Sequence, residues 1–210
     1  LALLALSAGY GSRITLLAAP VTPASTAPDA IFNWELIVHE AVIRVLRSPN
    51  YATDHALYIV TDQAVRRSTD DGDTWTTIFA TTPYSESLHI SALAVAPGAA
   101  SMPTLFVTRN VGYDHGEVFR STDDGLTWES VLAPSGTLFY DVAAARAADG
   151  NLVVFAVGFS PDVPSVWRST DGGDTWVLAN TGLQDYTNFY RIYPSPNFVA
   201  DHTVYITGYG

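Results

Sequence analysis

Short apolar and β-branched runs alternate with turn residues along most of the chain. Runs rich in Val, Ile, Tyr, Phe and Thr between Gly, Pro, Asp and Asn are typical of β-strands. At residues 34–46 the apolar spacing is also compatible with a helix. The pattern predicts strands at residues 41–46, 56–61, 64–68 and 74–79; 90–96, 104–108, 117–121 and 127–132; 140–145, 152–157, 165–169 and 175–179; and 190–193 and 203–207.

The first thirty residues differ from this pattern. Residues 1–19 are mostly apolar, and residues 20–29 are rich in Pro, Ser, Thr and Ala. We predict a signal-like or anchoring segment with a linker at residues 1–30, followed by the repeats at 31–210. Arg13 interrupts the apolar run and no basic segment precedes it, so a strand or helix packed on the domain is the alternative.

A nine-residue motif recurs three times. Residues 67–75, 120–128 and 168–176 read RSTDDGDTW, RSTDDGLTW and RSTDGGDTW, with the serines 53 and 48 residues apart. A second segment recurs as SPNYATDHALY at 48–58 and SPNFVADHTVY at 195–205, an offset of 147 residues or three units of 49. A unit of about this length is typical of a four-stranded propeller blade.

The predicted fold is therefore an all-β propeller of four-stranded antiparallel blades. About three and a half blades are expected, at residues 36–80, 88–133, 138–180 and 188–210, with a fourth motif due near position 215. Half a ring exposes sheet edges. We therefore expect further blades in a longer protein, or closure of the ring by another chain.

Each motif falls between the third and fourth predicted strands of its unit and predicts a hairpin turn. The Asp side chains can accept backbone N–H bonds, and the Gly residues allow positive φ. The Ser hydroxyls can bond across the turn, and the Trp rings can be buried against the blade. The positions are Ser68, Asp70, Gly72 and Trp75; Ser121, Asp123, Gly125 and Trp128; and Ser169, Asp171, Gly173 and Trp176.

This Ser-x-Asp-x-Gly-x-Thr-Trp pattern resembles the Asp box, or BNR repeat, of β-propellers. Proteins with this repeat include sialidases, endoglucanases acting on xyloglucan, sortilin-type receptors and photosystem II assembly and stability factors. The SPN segment is most similar to exported bacterial repeat proteins that resemble the last group. The resemblance covers residues 36–210 and implies that the motifs form structural turns away from the central axis, where catalytic groups gather.

The composition excludes several kinds of reaction and disfavours one class of partner. The formal net charge of −11 disfavours nucleic acid as a partner. The chain has no Cys and no Lys, which excludes disulfides, thiolate metal sites, a Cys nucleophile and Schiff-base chemistry within it. The five histidines show neither HxH nor HExxH spacing. No metal site and no cofactor are predicted.

The sequence contains only weak candidates for the catalytic residues of a hydrolase. A glycosidase needs two carboxylates about 5–10 Å apart across a cleft. The YRIYP sequence at 190–194 echoes a sialidase motif, but IRVL at 43–46 holds the same place in the first unit and favours a repeated strand feature. Five acids without a repeat counterpart are each expected to be solvated: Glu35, Glu40, Glu86, Asp114 and Asp141.

The loop at residues 110–116 is unique to its unit. Its residues Tyr113, Asp114 and His115 are candidates for contact with a partner, since loops carry function. The leading hypothesis is a non-catalytic binding or scaffold protein that presents blade loops to a protein or glycan. We expect it to be exported to the cell envelope, periplasm or medium, with membrane proximity through its N-terminal segment.

Two alternatives stay open. One is a glycoside hydrolase, sialidase-like or endoglucanase-like, with catalytic residues partly outside this segment. The other is an assembly factor for a photosystem or another membrane complex. An arginine cluster or facing carboxylates on the axis would favour the enzyme, whereas a large apolar or acidic patch on one face would favour binding.

Overall fold

The computed structural model describes residues 16–18, 35–38, 41–81, 88–98, 102–161, 165–183 and 188–209. A two-stranded antiparallel sheet joins β1 (Leu16–Ala18) to β2 (Glu35–Val38). The helix considered for residues 34–46 is wrong, because β2 and β3 (Arg44–Arg47) are both strands. The remainder of the proposed signal-like segment lies outside the described residues, and that assignment stays a prediction.

Three antiparallel sheets follow, each with four strands in chain order. Blade 1 contains β3, β4 (Leu57–Val60), β5 (Ala64–Ser68) and β6 (Thr76–Ala80). Blade 2 contains β7 (Leu88–Ala96), β8 (Thr104–Val111), β9 (His115–Ser121) and β10 (Glu129–Leu132). Blade 3 contains β11 (Leu138–Arg146), β12 (Leu152–Phe159), β13 (Ser165–Ser169) and β14 (Val177–Leu178).

A fourth sheet has two described strands, β15 (Asn188–Pro194) and β16 (Val204–Tyr209). The inner strand of blade 3, β11, packs against the inner strands β7 and β15 of its neighbours. Successive sheets packed around their inner strands form a partial β-propeller. The predicted all-β fold of three and a half blades is confirmed.

The apolar core lies between the blades. Leu93 and Leu105 of blade 2 pack with Tyr58 of blade 1 in one buried cluster. Phe106 of blade 2 and Phe139 of blade 3 share a second cluster. Each sheet thus buries side chains against the next one, at roughly 25 cal/mol per Å² of apolar surface.

The repeated SPN segments form short helices that the strand pattern did not predict. Helix α1 (Tyr51–Asp54) and helix α2 (Phe198–Asp201) each end at a histidine with positive φ. In the first copy, Ser48 Oγ donates to Asp54 Oδ2 at 2.5 Å, and Asp54 Oδ1 accepts the N–H of Ala56 at 2.9 Å. The recurring serine and aspartate therefore stabilise a one-turn connection between the first two strands.

The turns at residues 68–75, 121–128 and 169–176, called the repeat turns below, join the third and fourth strands of each blade, as predicted. The repeat turn of blade 2 also contacts blade 1. Trp128 Nε1 donates to the carbonyl of Ile78 at 2.8 Å. Asp124 accepts from Tyr58 Oη at 2.6 Å and pairs with Arg67 Nη2 at 2.5 Å. The turn is thus part of the interface between blades.

Gly125 lies against Ile78 of blade 1, and its φ is +90°. A Cβ there would come within 2.8 Å of Ile78 Cδ1, whereas one on Gly150, with φ +84°, would meet nothing within 4 Å. We expect Gly125→Ala to lower the free energy of unfolding by about 1–3 kcal/mol more than Gly150→Ala. Urea unfolding of the two variants measures the difference, and equal losses would show that the close approach is unimportant.

Candidate functional site

An ion pair between two inner strands lies at the centre of the described blades. Arg44 Nη1 on β3 donates to Asp141 Oδ1 on β11 at 2.8 Å, and the Asp141 side chain is 2% exposed. The same carboxylate accepts the N–H of Val142 at 3.0 Å and, on Oδ2, the N–H of Ile192 on β15 at 3.1 Å. One carboxylate therefore joins blade 1, blade 3 and the fourth sheet.

The expectation that Asp141 is a solvated surface acid is wrong. β11 is flanked by the inner strands β7 and β15, so a polar side chain at this position is enclosed by neighbouring blades. A buried charge is tolerated when it is paired and hydrogen-bonded. With Arg44 and two backbone donors already bound, Asp141 is poorly suited to act as a general acid or base.

The register shows that three charged residues share one place in the repeat. Arg44 faces Val60, Asp141 faces Val157 and Arg191 faces Thr207 on the adjacent second strands. The interpretation of 43–46 and 190–194 as one repeated strand feature therefore holds. These three charged residues could have been found from the sequence, but only after the inner strands of the repeats had been aligned.

The described part of the axis does not contain a sialidase-like constellation. Arg44 is used in the ion pair, and Arg191, which is partly buried, forms no ion pair or hydrogen bond within the described ranges. Glu40 and Glu86 lie outside those ranges, as does the side chain of Glu35. Asp114 is exposed on a turn. No pair of facing, unpaired carboxylates is present among the residues described.

Two tyrosines lie one residue before the charged positions of β11 and β15. The rings of Tyr140 and Tyr190 stack with centroids 5.2 Å apart and an interplanar angle of 16°. Both are half-buried and both lie where the strand register shifts by one residue, a β-bulge that re-aims a side chain. With Arg191 next in sequence, this pair combines an aromatic surface with a cation and hydrogen-bond donor.

The predicted contact loop lies at the same end of the blades. The turn Gly112–Asp114 joins β8 to β9, and Val111 faces Leu88, the first residue of the inner strand β7. Tyr113 is 93% exposed, and His115 forms a parallel bridge with Thr137, just before β11. The structure thus holds the loop at its base and exposes its aromatic tip. Contact of Tyr113, Asp114 and His115 with a partner stays a prediction.

The repeat turns lie at the opposite end of the strands and have the same internal bonds in all three copies. In blade 2, Ser121 Oγ donates to Asp123 Oδ1 at 2.7 Å and accepts the N–H of Gly125 at 2.8 Å. The N–H and hydroxyl of Thr127 donate to the two Asp123 oxygens at 2.9 and 2.5 Å. Blades 1 and 3 repeat these bonds through Ser68, Asp70, Gly72 and Thr74, and through Ser169, Asp171, Gly173 and Thr175.

These bonds stabilise the ionised carboxylates. The threonine hydroxyl, followed by the threonine N–H and the serine hydroxyl, lowers the pKa of Asp70 and of Asp123 to about 2. The same donors lower the pKa of Asp171 still further. Every oxygen of these carboxylates is bonded within its own turn, so the geometry indicates a structural role for them.

Within the described ranges, no group of three His, Cys, Asp or Glu residues is close enough to hold a metal ion. None of the helices described there is long and apolar enough to cross a membrane.

No family model matches the chain. A xyloglucanase from Paenibacillus sp. is 28% identical over a 171-residue alignment, which covers 69% of this chain and 15% of that protein. The chain thus spans a small part of the relative that it matches.

Three solved structures show the same fold at low identity. An ancestral GH74 enzyme is 20% identical with a TM-score of 0.57, over 78% of this chain and 22% of that one. YCF48 from Cyanidioschyzon merolae is 16% identical with a TM-score of 0.53, over 84% and 57%. The extracellular domain of BT4673 from B. thetaiotaomicron is 12% identical with a TM-score of 0.56, over 93% and 24%. These likenesses establish the fold.

Asp141→Ala tests the axial ion pair. It leaves the Arg44 guanidinium and the N–H of Ile192 without their acceptor, and removing one partner of a buried pair costs about 3–5 kcal/mol. We expect that loss in the free energy of unfolding, measured with urea. The exposed control Asp114→Ala should change it by less than about 0.5 kcal/mol. Losses of equal size in the two variants would contradict the bridging role of Asp141.

The repeat turns predict a pH dependence of stability. Because folding lowers the aspartate pKa from 3.8 to about 2, their stabilisation is complete above about pH 4 and is lost as pH falls towards 2. Thr127→Val removes the largest cause of the shift at Asp123 and should make the fall in unfolding free energy shallower. Thr53→Val, whose hydroxyl donates to a backbone carbonyl, should leave it unchanged. Parallel curves for wild type and Thr127→Val would exclude the assigned cause.

Proposed function

We propose that these blades belong to an exported Asp-box propeller that binds a glycan without hydrolysing it. The observation that carries the proposal is the state of Asp141. Among the described residues, Asp141 is the acid that lies on an inner strand. Its oxygens accept hydrogen bonds from the Arg44 guanidinium and from the N–H groups of Val142 and Ile192. A carboxylate bound in this way holds blades together and has little freedom to exchange a proton with a substrate.

The end of the blades that carries the Tyr113 loop offers a surface suited to a sugar ring. The stacked rings of Tyr140 and Tyr190 provide a flat apolar face, and Arg191 provides donors for hydroxyl or carboxylate oxygens. Tyr113 extends from the neighbouring blade at the same end. The Paenibacillus xyloglucanase supports a glycan as ligand class, because its name places it among proteins that act on a polysaccharide.

Asp-box membership rests on the three repeat turns and their identical bonding. Export is supported by the signal-like composition of residues 1–30. The repeat turns would serve the scaffold, since their aspartates are saturated by their own turn. The alternative ligand for the surface at the loop end is a protein partner.

A glycoside hydrolase is the second candidate. The specific observation in its favour is the xyloglucanase match, which covers only 15% of that protein and leaves room for catalytic residues in other blades. In that case the described blades would contribute binding subsites. The likeness to YCF48 concerns the fold alone and adds no weight to an assembly role.

Binding and hydrolysis can be separated in one experiment. We expect the chain to bind xyloglucan in isothermal titration and to release no reducing ends from it. Tyr190→Ala should weaken binding roughly tenfold, through loss of the stacked face. Tyr205→Ala, an exposed tyrosine on β16 outside the stack, is the matched control and should leave affinity unchanged.

Two outcomes would overturn the proposal. Release of reducing ends, abolished by Asp141→Asn, would make the described axis catalytic. Absence of binding to xyloglucan, to other β-glucans and to sialylated glycans would remove the glycan as ligand and favour a protein partner at the loop end.

A further inference from the structure

The main chain just before Tyr140 is held by side chains of blade 2. β11 pairs with a strand on one side only, so its main-chain groups on the other side need partners from elsewhere. The N–H of Phe139 donates to Asn110 Oδ1 at 2.9 Å, and Asn110 Nδ2 donates to the Phe139 carbonyl at 2.7 Å. One amide side chain therefore binds both polar groups of a single residue, as a neighbouring strand would.

The contacts of Asn110 leave its amide one orientation. An N–H needs the amide oxygen and a carbonyl needs the amide nitrogen, so the two bonds to Phe139 decide which way it points. Asn110 is fully buried, and Ser91 Oγ donates to the same carbonyl at 2.7 Å. Gly116 lies opposite Asn110, and a Cβ there would come within 2.9 Å of Asn110 Oδ1. The space for the amide therefore depends on a glycine in the adjacent strand.

The interface between blades 1 and 2 satisfies the equivalent N–H with main chain. Ile90 and Phe139 hold the same place, since each comes immediately before the bulge of its inner strand. The N–H of Ile90 donates to the carbonyl of Asp62 at 2.8 Å. In the register of its blade, Asp62 holds the place of Asn110. At the next interface a side-chain amide therefore takes over from a backbone carbonyl.

The hairpin of blade 2 also extends further than that of blade 1. In blade 1, β5 begins two residues after Asp62. In blade 2, β8 and β9 continue beyond Asn110 and end in the turn that exposes Tyr113. Because Asn110 reaches Phe139 with its side chain, its main chain can keep its pairing with β9. Asn110 thus lies at the base of the Tyr113 turn and is bonded to blade 3.

The bonds of Asn110 bear directly on Tyr140. Tyr140 follows Phe139 and is the bulged residue of β11, and a bulge re-aims its side chain. The Phe139 carbonyl belongs to the peptide group that joins Phe139 to Tyr140, and it accepts from Asn110 and Ser91. These donors fix the backbone from which the Tyr140 ring extends to stack on Tyr190.

We propose that Asn110 is a positioning residue of the ligand surface, an inference that rests on the function proposed above. By holding the peptide between Phe139 and Tyr140, it sets the Tyr140 ring in the orientation that stacks on Tyr190. The hairpin that carries Tyr113 thereby preorganises the aromatic face offered to a glycan. Asn110 itself is buried and acts through the ring.

The geometry of the two rings can be measured without a ligand. We expect nuclear Overhauser contacts between the Tyr140 and Tyr190 rings in the wild-type chain and their loss in Asn110→Ala. Asn110→Ser, which keeps a hydroxyl for one of the two bonds, is the milder second variant and should weaken the contacts. Asn151→Ala removes an exposed asparagine that binds the nearby Asp149, and as the control it should keep them.

The affinity for xyloglucan shows whether Asn110 acts through the ring. We expect Asn110→Ala to weaken binding roughly fivefold in isothermal titration, less than the roughly tenfold loss expected for Tyr190→Ala. In a Tyr140→Ala background the same substitution should have no further effect, because no ring is left to position. Asn151→Ala should leave the affinity unchanged in both backgrounds.

Three results would overturn the positioning role. They are unchanged ring contacts in Asn110→Ala, equal losses of affinity from Asn110→Ala with and without the Tyr140 ring, and failure of both Asn110 variants to fold, which would make the residue purely structural. If the wild-type chain binds no glycan, the proposed function fails, and the ring contacts alone decide whether Asn110 positions Tyr140.

Discussion

The packing of each sheet on the next is the constraint on which this structure depends. A four-stranded sheet of this size has two faces to cover, and the clusters around Tyr58, Phe106 and Phe155 are completed only by side chains from neighbouring blades. The polar contacts follow the same rule. Arg67 and Arg120 each bind the turn of the following blade, and Asp141 joins three inner strands.

The two ends of the blades have different chemistry as a result. At one end, the repeat turns use their carboxylates on their own backbone and on the arginine of the preceding blade. At the other end, the loop tip Tyr113 is exposed and the stacked pair of Tyr140 and Tyr190 is half-buried. The proposed ligand surface therefore lies at the end of the blades opposite the repeat turns.

Substitutions between blades occur in matched sets. Tyr58 with Asp124 at the first interface is replaced by Phe106 with Gly172 at the second, so the loss of a hydroxyl accompanies the loss of the acid that it bound. The arginine is kept in both and finds an acid at a different position of the turn, Asp174 instead of Asp124. The two interfaces therefore use different hydrogen bonds, although in both of them the turn glycine packs closely against the preceding blade.

The sequence by itself determined the strands, their grouping into blades and the turn at each motif, because strand periodicity, glycine and aspartate act over a few residues. It predicted neither the one-turn helices in the SPN segments nor the buried pair of Arg44 and Asp141. Those two residues are 97 positions apart. Whether an isolated acid is solvated or buried depends on which strands lie beside it, and only the packing of blade 1, blade 3 and the fourth sheet around the axis decided that for Asp141.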